Sequence, residues 1–458
     1  MTARPSSARR AAAAVLLLSL LLCLAGAPAS AQSPGPPGAR DLPLLDGAAR
    51  GAAVDSLCAA LDSTYVFPDT ARRMGELLHA RLADGSYNAL TVVSDFTQRL
   101  TEDLQSISHD RHLRVFPAPP EAPENRSDLT DAERERLRVA AAARRNFGFE
   151  KLERLTGNIG YLDLRQFADA GSAGATAVAA MNFLAHSDAL IIDLRQNGGG
   201  SPSMIQLLCS YLFVEPTHLN DFFIRRDGST MQFWTQANVA GPRLDGVPVF
   251  VLTSSRTFSA AEEFTYNLKN LKRATIIGET TGGGAHPVSR VAFAGLNIGA
   301  TIPFGRAINP ITGTNWEGTG VEPDVKVATD RALVTAHVAA LDSLAARAAG
   351  RHDEEAARLL TWARTRVRVL AAPVVLDAKA LRAYVGTYGP RRITLDEGVL
   401  MYQRENGPRR RLIPAGDDLF LLDGVDTFQA EFIRDARGRV LKFVGHYDDG
   451  NADENSRD

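Results

Sequence analysis

Ser259 stands where an apolar run, a short polar turn and a helical pattern meet. Val247 to Leu252 reads as a buried strand and Thr253 to Phe258 as a turn; from Ser259 onward Ala260, Ala261, Phe264, Leu268 and Leu271 fall at helix spacing. A serine so placed sits at a helix N-terminus, where unpaired N–H groups and the positive end of the helix dipole gather. The position suits a nucleophile whose oxyanion product those N–H groups would hold. The same residues also spell a capping box, Ser259-Ala-Ala-Glu262, in which the serine merely satisfies an amide of the first helical turn. Spacing alone leaves both readings open.

Acyl transfer also needs a base, a group that orients it and a second oxyanion donor. Gly198-Gly199-Gly200 follows the apolar run Ala189 to Leu194 and offers backbone N–H groups beside that of Ala260. The run is otherwise a tight turn, and it lacks the spacing and lysine of a phosphate loop. His109, His112 and His286 are the candidate bases, histidine being the usual one at neutral pH. Each also has an ordinary structural reading. Glu317, in Asn315-Trp-Glu-Gly-Thr-Gly320, is placed to orient a histidine or to be a solvated loop acid. Lys269 and Lys272 lie roughly 15–20 Å along the helix from Ser259, out of its reach. Glu262 and Glu263 read as capping or solvated helix acids. No CxxC or HExxH spacing occurs, so no metal site is expected, and no cofactor.

The elements that must position these residues alternate. Ile159 to Leu164 reads as a strand, Ala173 to Leu184 as a helix, Ala189 to Leu194 as a strand, Pro202 to Phe213 as a helix and Ala274 to Ile277 as a strand. With the Val247 strand and the Ser259 helix they predict an α/β core over 158–330. Upstream, 48–116 reads as a helical cap ending in Ser108-His-Asp-Arg-His112, and 117–157 as a linker in which Leu129 to Arg145 is a charged helix or more linker. Asn125-Arg-Ser127 in that linker is a glycosylation sequon. Downstream come a helical connector, 331–370, an accessory β domain, 371–447, and an acidic tail, 448–458, expected to fray.

The chain has 458 residues, enough for two or three domains, and a formal charge of −2, which shows no nucleic-acid footprint. Residues 1–31 read as a signal peptide: Arg4, Arg9 and Arg10 form a basic region, Ala11 to Ala25 an apolar one, and Ala29-Ser-Ala31 a cleavage site. The apolar run is too short to span a membrane, so the mature chain is expected to be exported and without a transmembrane segment. Residues 32–47 are Pro/Gly-rich and expected to be disordered. Cys58 and Cys209 read as buried thiols, although export would permit a disulfide.

Four segments occur in an order and at distances that carry a resemblance. They are Asp193-Leu-Arg-Gln-Asn-Gly-Gly-Gly200, Thr257-Phe-Ser-Ala-Ala-Glu-Glu-Phe264, Gly278-Glu-Thr-Thr-Gly-Gly-Gly284 and Gly318-Thr-Gly-Val-Glu-Pro-Asp324. Together they resemble the tail-specific, or carboxy-terminal processing, serine peptidase family. The resemblance implies a ClpP/crotonase-like α/β core, Ser259 as nucleophile, and oxyanion donors from Ala260 and from Gly198 and Gly199. The processing branch carries a catalytic lysine in a Gly-Lys-Gly segment that reads Gly282-Gly283-Gly284 here. The chain is therefore more similar to the branch of the tricorn core and the interphotoreceptor retinoid-binding protein. Tricorn-like members use a histidine and a glutamate, which implies His112 as base and Glu317 as its orienting partner, with Arg111 where the tricorn pattern has a serine. The stretch 116–157 is too short for the PDZ domain of the processing branch. Two functions follow as expectations: an exported peptidase acting on peptides or proteins, or a binding protein for an apolar ligand or peptide on the same fold. The sequence does not set the oligomeric state.

Overall fold

The computed structural model describes residues 44–118, 129–372 and 374–458. The expected signal peptide, most of the Pro/Gly-rich stretch and the sequon lie outside them. Among the described residues no helix is long and apolar enough to cross a membrane.

Three helices, α1 (Gly47–Thr64), α2 (Pro68–Ala83) and α3 (Val93–Ser108), lead into strand β1 (Arg114–Pro117). Their apolar faces, including Val54, Leu61, Met74, Phe96 and Leu100, are buried together. In the next segment, expected as linker, the charged stretch is a helix, and a strand follows that was not expected. Helix α4 (Asp131–Ala143) starts at a capping box between Thr130 and Glu133 and buries no residue. Strand β2 (Phe149–Leu155) then pairs antiparallel with β3 (Ile159–Leu164), so the core sheet begins before residue 158. Four charged residues, Glu150, Lys151, Glu153 and Arg154, hide β2 from a search for apolar runs. As an edge strand it buries only part of itself.

After β3 come α5 (Ala170–Leu184), β4 (Ala189–Asp193), α6 (Pro202–Ser210), a hairpin of β5 (His218–Ile224) and β6 (Thr230–Trp234), then β7 (Val249–Thr253), α7 (Ala260–Asn270) and β8 (Ala274–Gly278). A second hairpin, β9 (Val288–Phe293) and β10 (Ile298–Pro303), precedes β11 (Gly305–Ile308) and β12 (Val325–Lys326). The central sheet runs β12-β8-β7-β4-β3-β2, parallel except for β2. Strand β4 is buried at every position because both faces are covered. Leu190 and Ile192 pack with residues of α5, α6 and α7, while Ala189 and Ile191 pack with α8 (Ala332–Gly350) and with Ala363 of α9 (Glu354–Ala371). The stretch read as one or two helices is thus two.

The hairpins, which the sequence reading did not mark, attach the outlying parts. β10 pairs with β1 of the cap, and Ile298, Ala300 and Ile302 enter the cap's core. β5 pairs with both β6 and β11. Downstream, eight antiparallel strands between residues 386 and 456 follow one another in sequence order. The last is Ala452–Ser456, inside the tail expected to fray. It is held by pairing with Val440–Tyr447, by an ion pair between buried Arg391 and Asp453, and by Lys442 with Glu454 at 3.0 Å. Tyr388 bridges to Arg457, and the Asp458 N–H donates to Thr387 O, closing the sheet on itself. Cys58 and Cys209 are free and buried.

Because Ile302 belongs to the core's hairpin yet is wholly buried among cap residues, Ile302→Ala is expected to lower stability by about 2–5 kcal/mol in urea unfolding. A loss below about 1 kcal/mol would mean that cap and hairpin do not share a core.

Candidate active site

Ser259 leads into α7 from the turn after β7, with φ 57° and ψ −124°. Few non-glycine residues adopt this backbone, and holding it costs on the order of 1–3 kcal/mol. Only the glutamate half of a capping box is made: the Ser259 N–H donates to Glu262 Oε2 at 2.9 Å, and the Glu262 N–H goes to the Ser259 carbonyl. No cap hydrogen bond uses the Ser259 hydroxyl. The serine therefore holds the position of a cap without spending its side chain as one.

Glu262 is fully buried rather than solvated. Besides the Ser259 amide it accepts from Thr281 Oγ1 at 2.5 Å, Gly283 N at 2.6 Å and Gly284 N at 2.8 Å. Burial pushes its carboxyl above the ordinary range, against the downward pull of these four donors. The loop after β8 is thereby tied to the first turn of α7. The 315–321 loop is laced to the same segment: Val321 N donates to Thr281 Oγ1 at 2.7 Å, Trp316 Nε1 to Gly284 O at 2.8 Å, and Gly318 N to Gly283 O at 3.1 Å. Gly283 has φ 82°, and a Cβ there would lie 3.1 Å from Gly320 N and 3.2 Å from Gly318 C.

The glycine run after β4 lies against the serine. Gly199 has φ 109°, and a Cβ on it would fall 2.7 Å from Ser259 Cβ and 3.0 Å from Ala260 N. Only glycine allows that approach. Its N–H, however, donates to Asn197 Oδ1 at 2.8 Å, so this amide is not the free donor expected. Asn197 is held in turn by donating to Leu164 O. The N–H groups of Ala260, Gly198 and Gly200 have no acceptor among the described residues. The Asp193-Leu-Arg motif is structural: Arg195 pairs with buried Asp193 and donates to Thr329 O.

His112 arrives from the cap, in the turn between α3 and β1. Its backbone carbonyl accepts from Thr301 Oγ1 at 2.6 Å, its N–H donates to Asp110 Oδ1 at 2.9 Å, and its ring packs on Phe258 at 4.5 Å between centroids. Arg111 braces the same place, donating to Gly282 O at 2.6 Å. Around His112 lie two acids and a second histidine. His286 Nδ1 is 2.6 Å from Asp110 Oδ2 and 3.5 Å from Glu317 Oε2, and Glu317 Oε2 also accepts from Ala285 N. His112 Nδ1 and Glu317 Oε1 are buried without partners. Side-chain N and O atoms of Asp110, His112 and Glu317 lie within 4.8 Å of one another. That set is also of a kind that ligates a cation, although both Asp110 oxygens already accept hydrogen bonds.

Burial pushes His112 down to about 4, outweighing the attraction of Asp110, so its ring is neutral near pH 7. Burial, with the negative charge of Asp110, lifts Glu317 to about 7. For His286 burial works downward, but the hydrogen bond and charge of Asp110 and the charge of Glu317 outweigh it and raise the imidazole above its usual value. His109 is an exposed residue ending α3 in the left-handed conformation and has no part in the cluster. Lys269 is paired with Asp324 at 3.1 Å. The sequence reading missed Asp110, though it sits between two of the histidines considered, and missed Glu262 as the residue that joins the serine turn to the 281–284 loop.

A cavity of about 480 Å³ opens beside Ser259, lined also by Gly200, Ala260, Glu263, His286 and several aromatic residues. A serine out of its cap, free amides beside it and a cluster of histidines and acids are the parts of a serine hydrolase site. Residues 158–327 match Peptidase family S41, and residues 47–144 match the N-terminal domain of Peptidase S41 in eukaryotic IRBP. The two matches together take in more than half of the chain, and the chain belongs to peptidase family S41. A carboxy-terminal-processing protease of Bartonella bacilliformis is 30% identical over 183 residues, 38% of this chain and 40% of that protein. The chain thus matches well under half the length of that relative. Among solved structures, the photosystem II D1 C-terminal processing protease is 16% identical, with 61% of this chain and 93% of that one covered and a TM-score of 0.41. The tricorn protease is 15% identical, with 63% and 35% covered and a TM-score of 0.40.

Replacing Glu262 by alanine leaves three amides and a hydroxyl without their acceptor. Glu262→Ala is expected to cost on the order of 3 kcal/mol or more in denaturant unfolding, and Thr281→Val about 1 kcal/mol. A near-neutral Glu262→Ala would contradict this account of the loops.

Proposed function

We propose that this chain is an exported serine peptidase in which Ser259 is the nucleophile, His112 its base and Glu317 the group that orients the base. The observation that carries the reading is the backbone of Ser259, held in a costly conformation while its hydroxyl stays out of the helix cap. The unpartnered His112 Nδ1 and Glu317 Oε1 support the relay. Closing the gap between them lets Nδ1–H donate a hydrogen bond to the carboxylate, which fixes the tautomer and leaves Nε2 to take the proton of Ser259 Oγ. The hydroxyl oxygen then attacks the peptide carbonyl. The oxyanion is held by Ala260 N–H with Gly198 or Gly200 N–H, while Gly199 provides close approach. The imidazolium returns its proton to the leaving amine, and water releases the acyl group by the same steps in reverse order.

His286 is the second candidate base, since it lines the cavity with Ser259 and carries Asp110 on Nδ1. The parallel β3–β4–β7–β8 order, with a glycine turn after β4 and Ser259 after β7, supports a ClpP/crotonase-like core. The basic and apolar regions of residues 1–31 support export.

The test is hydrolysis of a broad peptide library by residues 32–458. Ser259→Ala is expected to abolish cleavage, and His112→Ala to lower kcat/KM by about 10²–10⁴-fold. Cleavage by neither the parent nor Ser259→Ala would turn the reading to a binding protein. Full activity in His112→Ala with loss in His286→Ala would transfer the base to His286. Glu317 must be ionised to accept the His112 Nδ1–H hydrogen bond and stabilise the imidazolium, and its folded-state value is raised. Activity should therefore rise with pH through about 7, and Glu317→Gln should remove that limb. His112 is already neutral above about 4 and adds no limb near neutrality.

A further inference from the structure

The cavity beside Ser259 has a wall that the chemistry above does not use. Phe222, Ile224, Met231, Phe233, Val288 and Phe304 make it mainly apolar. Into it comes Glu263, one helical turn beyond Ser259 on α7 and so on the same face. Glu263 is 3% exposed, and its Oε1 has no hydrogen-bond partner. Asn220 of β5 is wholly buried, and both polar atoms of its amide are also unpartnered. Among the described residues no lysine or arginine lines the cavity. The Asn220 amide lies near enough to Glu263 to favour its charged form, yet Oε1 makes no hydrogen bond, and a buried acid oxygen left so beside a nucleophile is costly unless something that enters the cavity satisfies it.

We propose that this cavity receives the side chain on the acyl side of the scissile bond and selects one with an aromatic body and a hydroxyl tip, tyrosine above all, through Glu263 backed by Asn220. The inference rests on the peptidase reading of Ser259. The phenylalanine-rich wall takes the ring, and the hydroxyl gives the carboxyl the partner it lacks. Burial pushes Glu263 up to about 8, with the Asn220 amide pulling the other way, so at pH 7 the carboxyl is neutral and both donates and accepts. A lysine or arginine head would have to shed its water and force that acid to ionise among apolar side chains. A phenylalanine would fill the space and leave the acid unpaired, and sites with a buried polar group discriminate strongly against a substrate that lacks its partner.

Peptides differing only at this position, with tyrosine, phenylalanine, leucine, alanine or lysine, test the proposal in the mature chain. Tyrosine is expected to exceed phenylalanine by about tenfold in kcat/KM. Glu263→Leu should bring that ratio to one or below, while Glu263→Gln, which still hydrogen-bonds, keeps it above one. Phenylalanine, leucine or lysine matching tyrosine in the parent protein would overturn the proposal, as would a ratio unmoved by Glu263→Leu. The parent ratio and the Gln variant keep the test decisive if the Leu variant does not fold. If the parent cleaves nothing, the peptidase reading fails by itself. Calorimetry of Ser259→Ala with peptides ending in tyrosine or phenylalanine then judges the cavity alone: tighter binding of the tyrosine peptide upholds it, and equal binding overturns it.

Discussion

One carboxylate holds the site together. Glu262 takes the amide of Ser259, two amides of the glycine loop and the hydroxyl of Thr281, all in the interior. A buried acid is costly unless its lone pairs are filled, and here the fillers come from separate segments. Satisfying Glu262 therefore places the serine turn and the 281–284 loop in a set relation. Thr281, Gly283 and Gly284 pass that relation to the 315–321 loop, where Glu317 sits. The strained backbone at Ser259 persists because its amide is anchored here and Gly199 presses from the other side.

The cap supplies what the sheet cannot. His112 and Asp110 stand at the end of the cap's third helix, far in sequence from Ser259, and reach the site because β1 joins the β9–β10 hairpin. Burial in that join is apolar and nondirectional, but the Thr301 bond to the His112 carbonyl and the stacking on Phe258 give it direction. The candidate base is thus positioned by a domain contact and the nucleophile by a strand–helix turn. The same division explains the different surroundings of the two histidines. His286 belongs to the core loop, is buried and faces two acids, whereas His112 is half-buried with its Nδ1 unpaired among the described residues.

Much of this was legible in the sequence wherever a residue's partners are near in the chain. The buried parallel strands show as unbroken apolar runs, and Ser259 shows as the first residue of a helical pattern. Strand β2 was not legible, because as a half-exposed edge strand it carries Glu150, Lys151, Glu153 and Arg154 and has no apolar run. Nor were the hairpins, whose burial depends on the cap they meet. The last strand looked like an acidic tail because the cation that holds Asp453, Arg391, is distant in sequence. At the site, the candidate nucleophile, base and orienting acid could all be named from motif order. The occupied Gly199 amide, the bridging of Glu262 and the pairing of Asp110 with His286 could not. Each depends on hydrogen bonds between segments, which spacing does not encode.

Gly283 occupies the segment where the processing branch of the family carries its lysine. Here its left-handed backbone, its amide bonded to Glu262 and the nearby backbone of 318–320 leave no room for a side chain without rearrangement. A lysine introduced there by one codon change would meet a loop shaped against it. The lysine and histidine versions of this chemistry are therefore not mutational neighbours, and descent from one to the other must pass through a remodelled loop. The glycine and the loop closed around it are a matched pair, so that neither changes without the other.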